Sequence, residues 1–366
     1  MGSFPPILAC AAIGIGAVAP LWQDAGAPGP YPTSAHDVKR LATFGLLAGL
    51  TAAILLIAWQ GVATVGTALV SLGASVLLLP LAFLPSLVLV TLSWHRLFLA
   101  PPRPRFPAVL RATWVGASVD TLLPTASIGG EVVKARLLAQ SGTPGVEAAA
   151  SVVVDKTVQA IAIVLQALIG VLVLVVLQVE RGLVLVSLAA VALLAAGVAG
   201  FIVAQRAGGI GFLVGLLDRL RGGRGPKSVI KNAATLDETI RALYRRPGPV
   251  VAASALRLLA RLALTLEVWL AAYLMGQPIT LFEALMLKSL AGALRGAAFA
   301  VPGGWGLQEG SFVLLGGLLG LEPGFMLALS LATRARELLV SLPGLLAWQH
   351  AEGRALWKRA GAARRR

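Results

Sequence analysis

Charge is scarce in this chain of 366 residues: 13% of its side chains are Asp, Glu, Lys or Arg. An ordinary soluble protein carries about 25%. Cysteine is rarer still, since Cys10 stands alone, which excludes an internal disulfide and any cysteine metal cluster. The three histidines, His36, His95 and His350, are scattered without ligand spacing. No serine nucleophile elbow, HExxH, Walker sequence or Cys-His pair occurs. GIGAVA (14–19) lacks the strand–turn–helix setting of a dinucleotide fingerprint, and in GGRGPKS (222–228) Pro226 separates the glycine from Lys227. These absences leave no cofactor to expect and no catalytic chemistry to assign.

What the chain has instead is apolar length. Hydrophobic residues make up 57% of it. Several runs approach the roughly 20 residues that cross a hydrocarbon core of about 30 Å, among them ATFGLLAGLTAAILLIAW (42–59) and RGLVLVSLAAVALLAAGVAGFIVAQ (181–205). The net charge of +15 is not spread as a nucleic-acid face requires. It gathers in short loops between apolar runs and in the tail RALWKRAGAARRR, the bias that marks cytoplasmic segments. Residues 1–37 form an apolar extension with no basic residue ahead of FPPILACAAIGIGAVAPLW, which argues against a secretory signal. A further span, an interfacial segment and an early start codon stay open for it.

Charge also sets a topology. Lys39 and Arg40 start the first good span on the inside, and the span at 74–98 returns to PPRPRF, again inside. Residues 206–247, with nine Lys and Arg against three acids, are an inner loop. Spans at about 146–178 and 183–205 supply the two crossings between, and 249–275 with 325–349 supply two more. Segments 107–141 and 280–321, broken by Pro and Gly, are left over and read as re-entrant hairpins entering from opposite faces. Irregular backbone at that depth needs cover from protein or a water-filled cavity. In the inner loop, Ile230, Ala233, Leu236, Ile240 and Leu243 recur at helical spacing, which predicts a helix on the cytoplasmic surface.

The two hairpins repeat one pattern. LLPTASIGGEVVKARLLAQSGTPG places Glu131 seven residues after Pro124, and AVPGGWGLQEGSFVLLGGLLGLEPG places Glu309 seven after Pro302. Pro144-Gly145 and Pro323-Gly324 follow at nearly the same distance, and the offset between copies is 178 residues for Pro and Glu. Opposed entry makes this an inverted repeat of broken helices, an arrangement common in secondary transporters. The breaks are assigned to Pro124, Gly129, Gly130, Pro302, Gly303, Gly304 and Gly306. A helix start inside a membrane offers bare N–H groups and a positive dipole end to an anion or polar head group.

Ionisable residues at membrane depth line pathways or pair with one another. The first half offers Asp120, Glu131, Lys134, Arg136, Asp155 and Lys156. The second offers Arg257, Arg261, Glu267, Lys288, Arg295, Glu309, Arg334, Arg336 and Glu337. Lys134, Arg136, Glu283 and Lys288, near the ends of short elements, read more simply as ion pairs or snorkelling side chains. The residues expected to meet a substrate are Glu131, Glu309, Arg295, Asp155, Arg334, Arg336, Asp120 and Gln308.

At these motifs the sequence resembles a known family, the membrane region of lysylphosphatidylglycerol synthase and its stand-alone relatives. The family's second motif, Pro-Gly-x-x-Gly-x-x-Glu-Gly, is matched by Pro302, Gly303, Gly306, Glu309 and Gly310. GGEVVKARLL, EVWLAAYLMG, RGAAFAVPGGWGLQEGSFVLLG and RARELLVSLPGLLAWQ carry a likeness to the branch encoded beside hopanoid biosynthesis genes. The resemblance covers about residues 38–350 and leaves out the apolar start. One departure stands in the first motif, where Asp120-Thr121 replaces an expected Asn-Asn. With no soluble synthase domain before the end at Arg366, the resemblance implies lipid translocation without synthesis.

The expectation is therefore an all-α polytopic membrane protein with about six spanning helices and two oppositely oriented re-entrant hairpins. Its halves are 38–205 and 248–350, separated by the basic loop 206–247 and followed by a basic tail at 351–366. The expected activity is that of a flippase-like lipid translocator in a bacterial inner membrane, with the C-terminus cytoplasmic. A non-catalytic scaffold or subunit for lipid-synthesising enzymes is the alternative, and an integral-membrane enzyme that modifies a lipid head group is a third reading. Membrane lipids are the expected partners, with hopanoid-synthesis proteins and a second copy of the chain as further candidates.

Overall fold

Long runs of Leu, Ala and Val, interrupted by Pro-Gly pairs, dictate helices with abrupt starts, and helices are what form. The computed structural model describes residues 73–98, 103–123, 129–220, 227–297 and 307–363, and among them every regular element is helical. After a 3-10 turn at Gly73–Leu78 come α1 (Leu79–His95), α2 (Phe106–Leu122), α3 (Gly129–Gln140), α4 (Gly145–Val176) and α5 (Arg181–Arg206). Then follow α6 (Gly209–Leu220), α7 (Lys227–Tyr244), α8 (Pro247–Leu274), α9 (Leu281–Ala297), α10 (Leu307–Leu318) and α11 (Pro323–Ala363).

Four helical stretches are long and apolar enough to cross a membrane: Ser75–His95, Gly145–Val176, Arg181–Arg206 and Pro247–Leu274. They coincide with four of the expected spans. The fifth, 325–349, lies within α11, which continues through the basic tail to Ala363 as one helix despite Pro343. The tail's Ala, Leu, Arg and Lys are good helix formers, which explains the extension. The expected span at 42–59, the extension 1–37 and both hairpin apices lie outside the described residues.

The segments left over from the spans are pairs of short helices. α2 and α9 each have 17 residues, and α3 and α10 each have 12. At 1.5 Å per residue these are about 26 and 18 Å long, less than a hydrocarbon core. α3 and α10 also stop alike. Gly142 (φ +100°) and Gly320 (φ +70°) take the left-handed turn that glycine alone enters without cost. Beyond them the Thr143 N–H donates to the Leu138 carbonyl (3.2 Å), and the Leu321 N–H to that of Gly316 (2.9 Å). The two caps are 178 residues apart, the same offset as Glu131 and Glu309.

The packing is exchanged between halves: α2 lies against α11 and α9 against α4, while α1 lies along α8. Small residues set these approaches. At Gly344 of α11 a Cβ would stand 2.0 Å from Ser118 Oγ of α2, and at Gly170 of α4 it would stand 2.8 Å from Ser289 Cβ of α9. Trp114 of α2 also donates its indole N–H to the Val340 carbonyl at 2.9 Å. A large apolar core joins α4, α8, α9, α10 and α11 around Leu174, Met286, Phe312 and Met326. α5 stays at the edge with Leu185, Val186, Leu193 and Val203 exposed, the surface a lipid-facing helix requires. In the basic loop the apolar stripe of α7, with Leu236, Ile240 and Leu243, packs on α4, so its partner is protein.

Candidate functional site

Two clusters of ionised side chains lie in the helical bundle, one in each half. The first is assembled where α2 ends and α3 begins. Asp120, in the last turn of α2, accepts the Gly130 N–H at 2.8 Å and so holds the start of α3. Glu131, in the first turn of α3, receives Lys134 at 2.9 Å and Lys156 of α4 at 2.8 Å. Lys134 bridges onward to Asp155 of α4 at 2.7 Å, and Arg257 of α8 closes on the other oxygen of Asp155. Three carboxylates thus face three cations, with Asp155 almost fully buried and Lys134 also lying over the Trp94 ring. A buried charge is tolerable only when neutralised in this way.

The second cluster is smaller and wired differently, with two carboxylates, two arginines and a glutamine. Glu309, in the first turn of α10, receives Arg334 Nε of α11 at 3.0 Å. Arg334 also reaches Glu337 one turn on, at 2.9 Å, and Glu337 receives Arg295 of α9 at 2.8 Å. Gln308 sits in the middle. Its carbonyl accepts from Arg295 (3.1 Å) and its amide donates to Thr333 (3.0 Å) and Ser330 (3.4 Å), tying α9, α10 and α11 together. Glu309 Oε2 is buried and has no hydrogen-bond partner among the described residues.

Residues 178 apart occupy equivalent places in the two clusters. Glu131 pairs with Lys156, and Glu309 pairs with Arg334. The offset is 175 on the first hairpin helix, which puts Asp120 and Arg295 at the same position of α2 and α9. Asp120 holds Gly130 and Arg295 holds Gln308, again 178 apart, so one contact is made twice with opposite charge. Asp120, where Asn was expected, therefore accepts a backbone N–H and lies 4.0 Å from Lys156.

Seven of the eight expected substrate-facing residues fall in these clusters: Asp120, Glu131 and Asp155 in one, and Arg295, Gln308, Glu309 and Arg334 in the other. Arg336 turns away. It forms a two-pronged ion pair with the fully buried Glu267 of α8, at 2.7 and 2.9 Å, and covers the Phe83 ring of α1. Of the assigned helix breaks, Gly129 opens α3 and Gly130 lies in its first turn, so close that a Cβ would meet the Gly116 carbonyl of α2. Pro124, Pro302, Gly303, Gly304 and Gly306 lie outside the described residues.

Four cluster members, Lys134, Lys156, Arg257 and Glu337, stood among the ionisable candidates and not among the residues expected to meet a substrate. Lys156 stands beside Asp155 in sequence, yet a helix turns about 100° per residue. Asp155 therefore reaches Arg257 of α8 and Lys134, while Lys156 reaches Glu131 at the start of α3. The signal that could have found it is the offset of 178 to Arg334. Lys156 and Arg295 keep about a third of their side-chain surface exposed, so they are the cations of the two clusters that a ligand can reach. Arg261 of α8 donates to Gln166 of α4 at 2.5 Å and has no carboxylate among the pairs of the described residues. Nor do those residues place three His, Cys, Asp or Glu side chains to hold a metal ion.

The family described as Lysylphosphatidylglycerol synthase TM region matches residues 46–344, most of the chain. Neither a curated protein nor a solved structure matches.

Proposed function

Because the chain belongs to the lysylphosphatidylglycerol synthase transmembrane-region family, we propose that it translocates a polar-headed lipid between the leaflets of a bacterial inner membrane. The observation that carries the reading is the pair of equivalent ion pairs, Glu131–Lys156 and Glu309–Arg334, each at the start of the second helix of a hairpin. In this reading α2–α3 and α9–α10 are re-entrant hairpins of an inverted repeat, and the head group passes between them while the tails stay in lipid. The matched lengths, glycine caps and exchanged packing of the two hairpins support it.

The chemistry is one of partner exchange. A phosphate meets Lys156 and Arg295, the reachable cations, and a hydroxyl or amine meets Glu131 or Oε2 of Glu309. Each bond to the head group replaces one inside the cluster, so no charge is left bare during passage. Stripping a buried partner without replacement costs about 3–5 kcal/mol. Asp155 and Arg336, held by Arg257 and Glu267, brace the bundle around the path. With no nucleotide motif in the sequence, movement runs downhill or on an ion gradient. A head group with several hydroxyls, such as a hopanoid polyol, or an amine, as on an aminoacyl-phospholipid, suits the carboxylates. In this arrangement the C-terminus is cytoplasmic.

A second reading, a scaffold for lipid-synthesising enzymes, draws on the fact that each carboxylate of the two clusters already has a cation. The two readings part in liposomes carrying the purified chain and a head-group-labelled lipid that an impermeant reductant bleaches from outside. Translocation predicts bleaching beyond the half present in empty liposomes for at least one of labelled phosphatidylglycerol, its lysyl ester and a labelled hopanoid polyol. Bleaching that stops at half for all three removes the translocator and leaves the scaffold.

A further inference from the structure

A second polar site lies away from both clusters, where α5, α6 and α7 meet. A cleft of about 300 Å³ is lined there by Arg206, Arg241, Tyr244 and Arg245, a size at the low end of small-molecule sites. Arg206 ends α5, and Arg245 stands two residues before α8 begins, so the cleft sits where two apolar spans leave the membrane. That is head-group depth.

The cleft is built. Gly208 turns the chain with φ +86°, and Asp237 of α7 caps the start of α6 by accepting the N–H groups of Ile210 (3.3 Å) and Gly211 (2.7 Å). Tyr244 donates its hydroxyl to Gln205 at 2.6 Å, and its ring carries the Arg206 guanidinium 5.2 Å above. Burial pushes the Tyr244 phenol up, so it remains a neutral donor. No ion pair joins Arg206, Arg241 or Arg245 to a carboxylate among the described residues, so the cleft presents three positive charges, with the Asp237 carboxylate one turn from Arg241. Beside them α6 exposes Phe212, Leu213 and Leu216, with Phe212 72% open. An exposed apolar helix face near basic residues is the mark of an interfacial helix.

We propose that this cleft binds the phosphate of an anionic phospholipid of the leaflet it faces, with α6 lying in that head-group layer, apolar side inward. Charge complementarity and the exposed apolar residues of α6, whose start lies beside Arg241, select this occupant. The lipid is resident, not cargo, and the site stands whether or not the clusters move lipid. It fixes the depth of the inner loop and ties α5 to α8 through a shared counter-ion.

The test uses the full chain in neutral detergent, titrated with dioleoylphosphatidylglycerol and read by native mass spectrometry. Each arginine is worth about five-fold in affinity for an anionic surface, so the R206Q/R241Q/R245Q variant retains the lipid on the order of 100-fold more weakly. Dioleoylphosphatidylcholine is not retained, and millimolar inorganic phosphate does not compete. The lipid also slows amide exchange over 209–216 in the wild type. If the triple variant fails to fold, R245E alone, at an exposed side chain, reads the same loss at about ten-fold or more. Equal retention of the two lipids, retention by the folded variant at wild-type strength, or displacement by inorganic phosphate overturns the proposal.

Discussion

Consider the removal of one partner from the Arg336–Glu267 pair. The two side chains are 5% and 0% exposed and share two bonds of 2.7 and 2.9 Å across α11 and α8. Arg336→Met leaves Glu267 charged and stripped of its main partner, with Lys288 of α9 the nearby cation that softens the loss. Breaking a buried pair costs about 3–5 kcal/mol, while replacing both members by apolar residues of similar volume is often neutral. At about 2 °C per kcal/mol, suited to a chain of this size, Arg336→Met lowers the Tm by about 6–10 °C. Glu267→Leu strips Arg336 of its carboxylate in turn and lowers it by a similar amount. The Arg336→Met, Glu267→Leu double variant returns to within about 2 °C of wild type. The assay is a thermal melt of purified protein in one detergent at fixed lipid content. A double variant whose loss equals the sum of the two single ones refutes the reasoning, because it means the residues contribute independently and not as a neutralised pair.

Other perturbations probe other parts of the account. Gly344→Val drives a side chain into Ser118, where even a Cβ would stand at 2.0 Å, and should cut the yield of folded protein in size-exclusion chromatography; Ser118→Gly on top should restore part of it. Leu193→Arg, at the exposed middle of α5, costs about 3 kcal/mol of insertion and should shift the chain from membrane to aggregate in fractionation, whereas Leu193→Phe should not. Asp237→Ala removes the cap of α6, worth about 0.5–2 kcal/mol, and should speed amide exchange at 210–212 by roughly 2- to 30-fold while α4 is unaffected.

The elements were legible wherever backbone chemistry forces a break. The expected hairpin 107–141 is α2 and α3, ending at Gln140, and 280–321 is α9 and α10, ending at Leu318. Pro-Gly pairs and apolar runs mark those limits in any environment. α6 was not legible: GIGFLVGLLDRL sits in a basic loop, and its start is fixed by Asp237, which lies 26 residues on. Partner choice was legible only within one helix, as for Glu131 with Lys134 three residues apart. Asp155 meets Arg257 across 102 positions, and Glu267 meets Arg336 across 69, because α8 lies against α4 and α11. No local pattern encodes that placement. The offset of 178 residues was the one long-range signal in the sequence, and it reached further than the Pro–Glu spacing: it also relates Lys156 to Arg334, Gly142 to Gly320 and Gly130 to Gln308.

The central claim is that the two matched ion pairs act on one head group along one path. The most direct measurement is the bleaching rate in liposomes for wild type, Glu131→Gln, Glu309→Gln and the double variant, each confirmed folded by melting. Residues that act as a unit lose nearly everything with the first removal. Each single variant should therefore slow translocation about as much as the double does. Single effects that multiply in the double variant, or a double variant that still moves lipid at the wild-type rate, contradict the account.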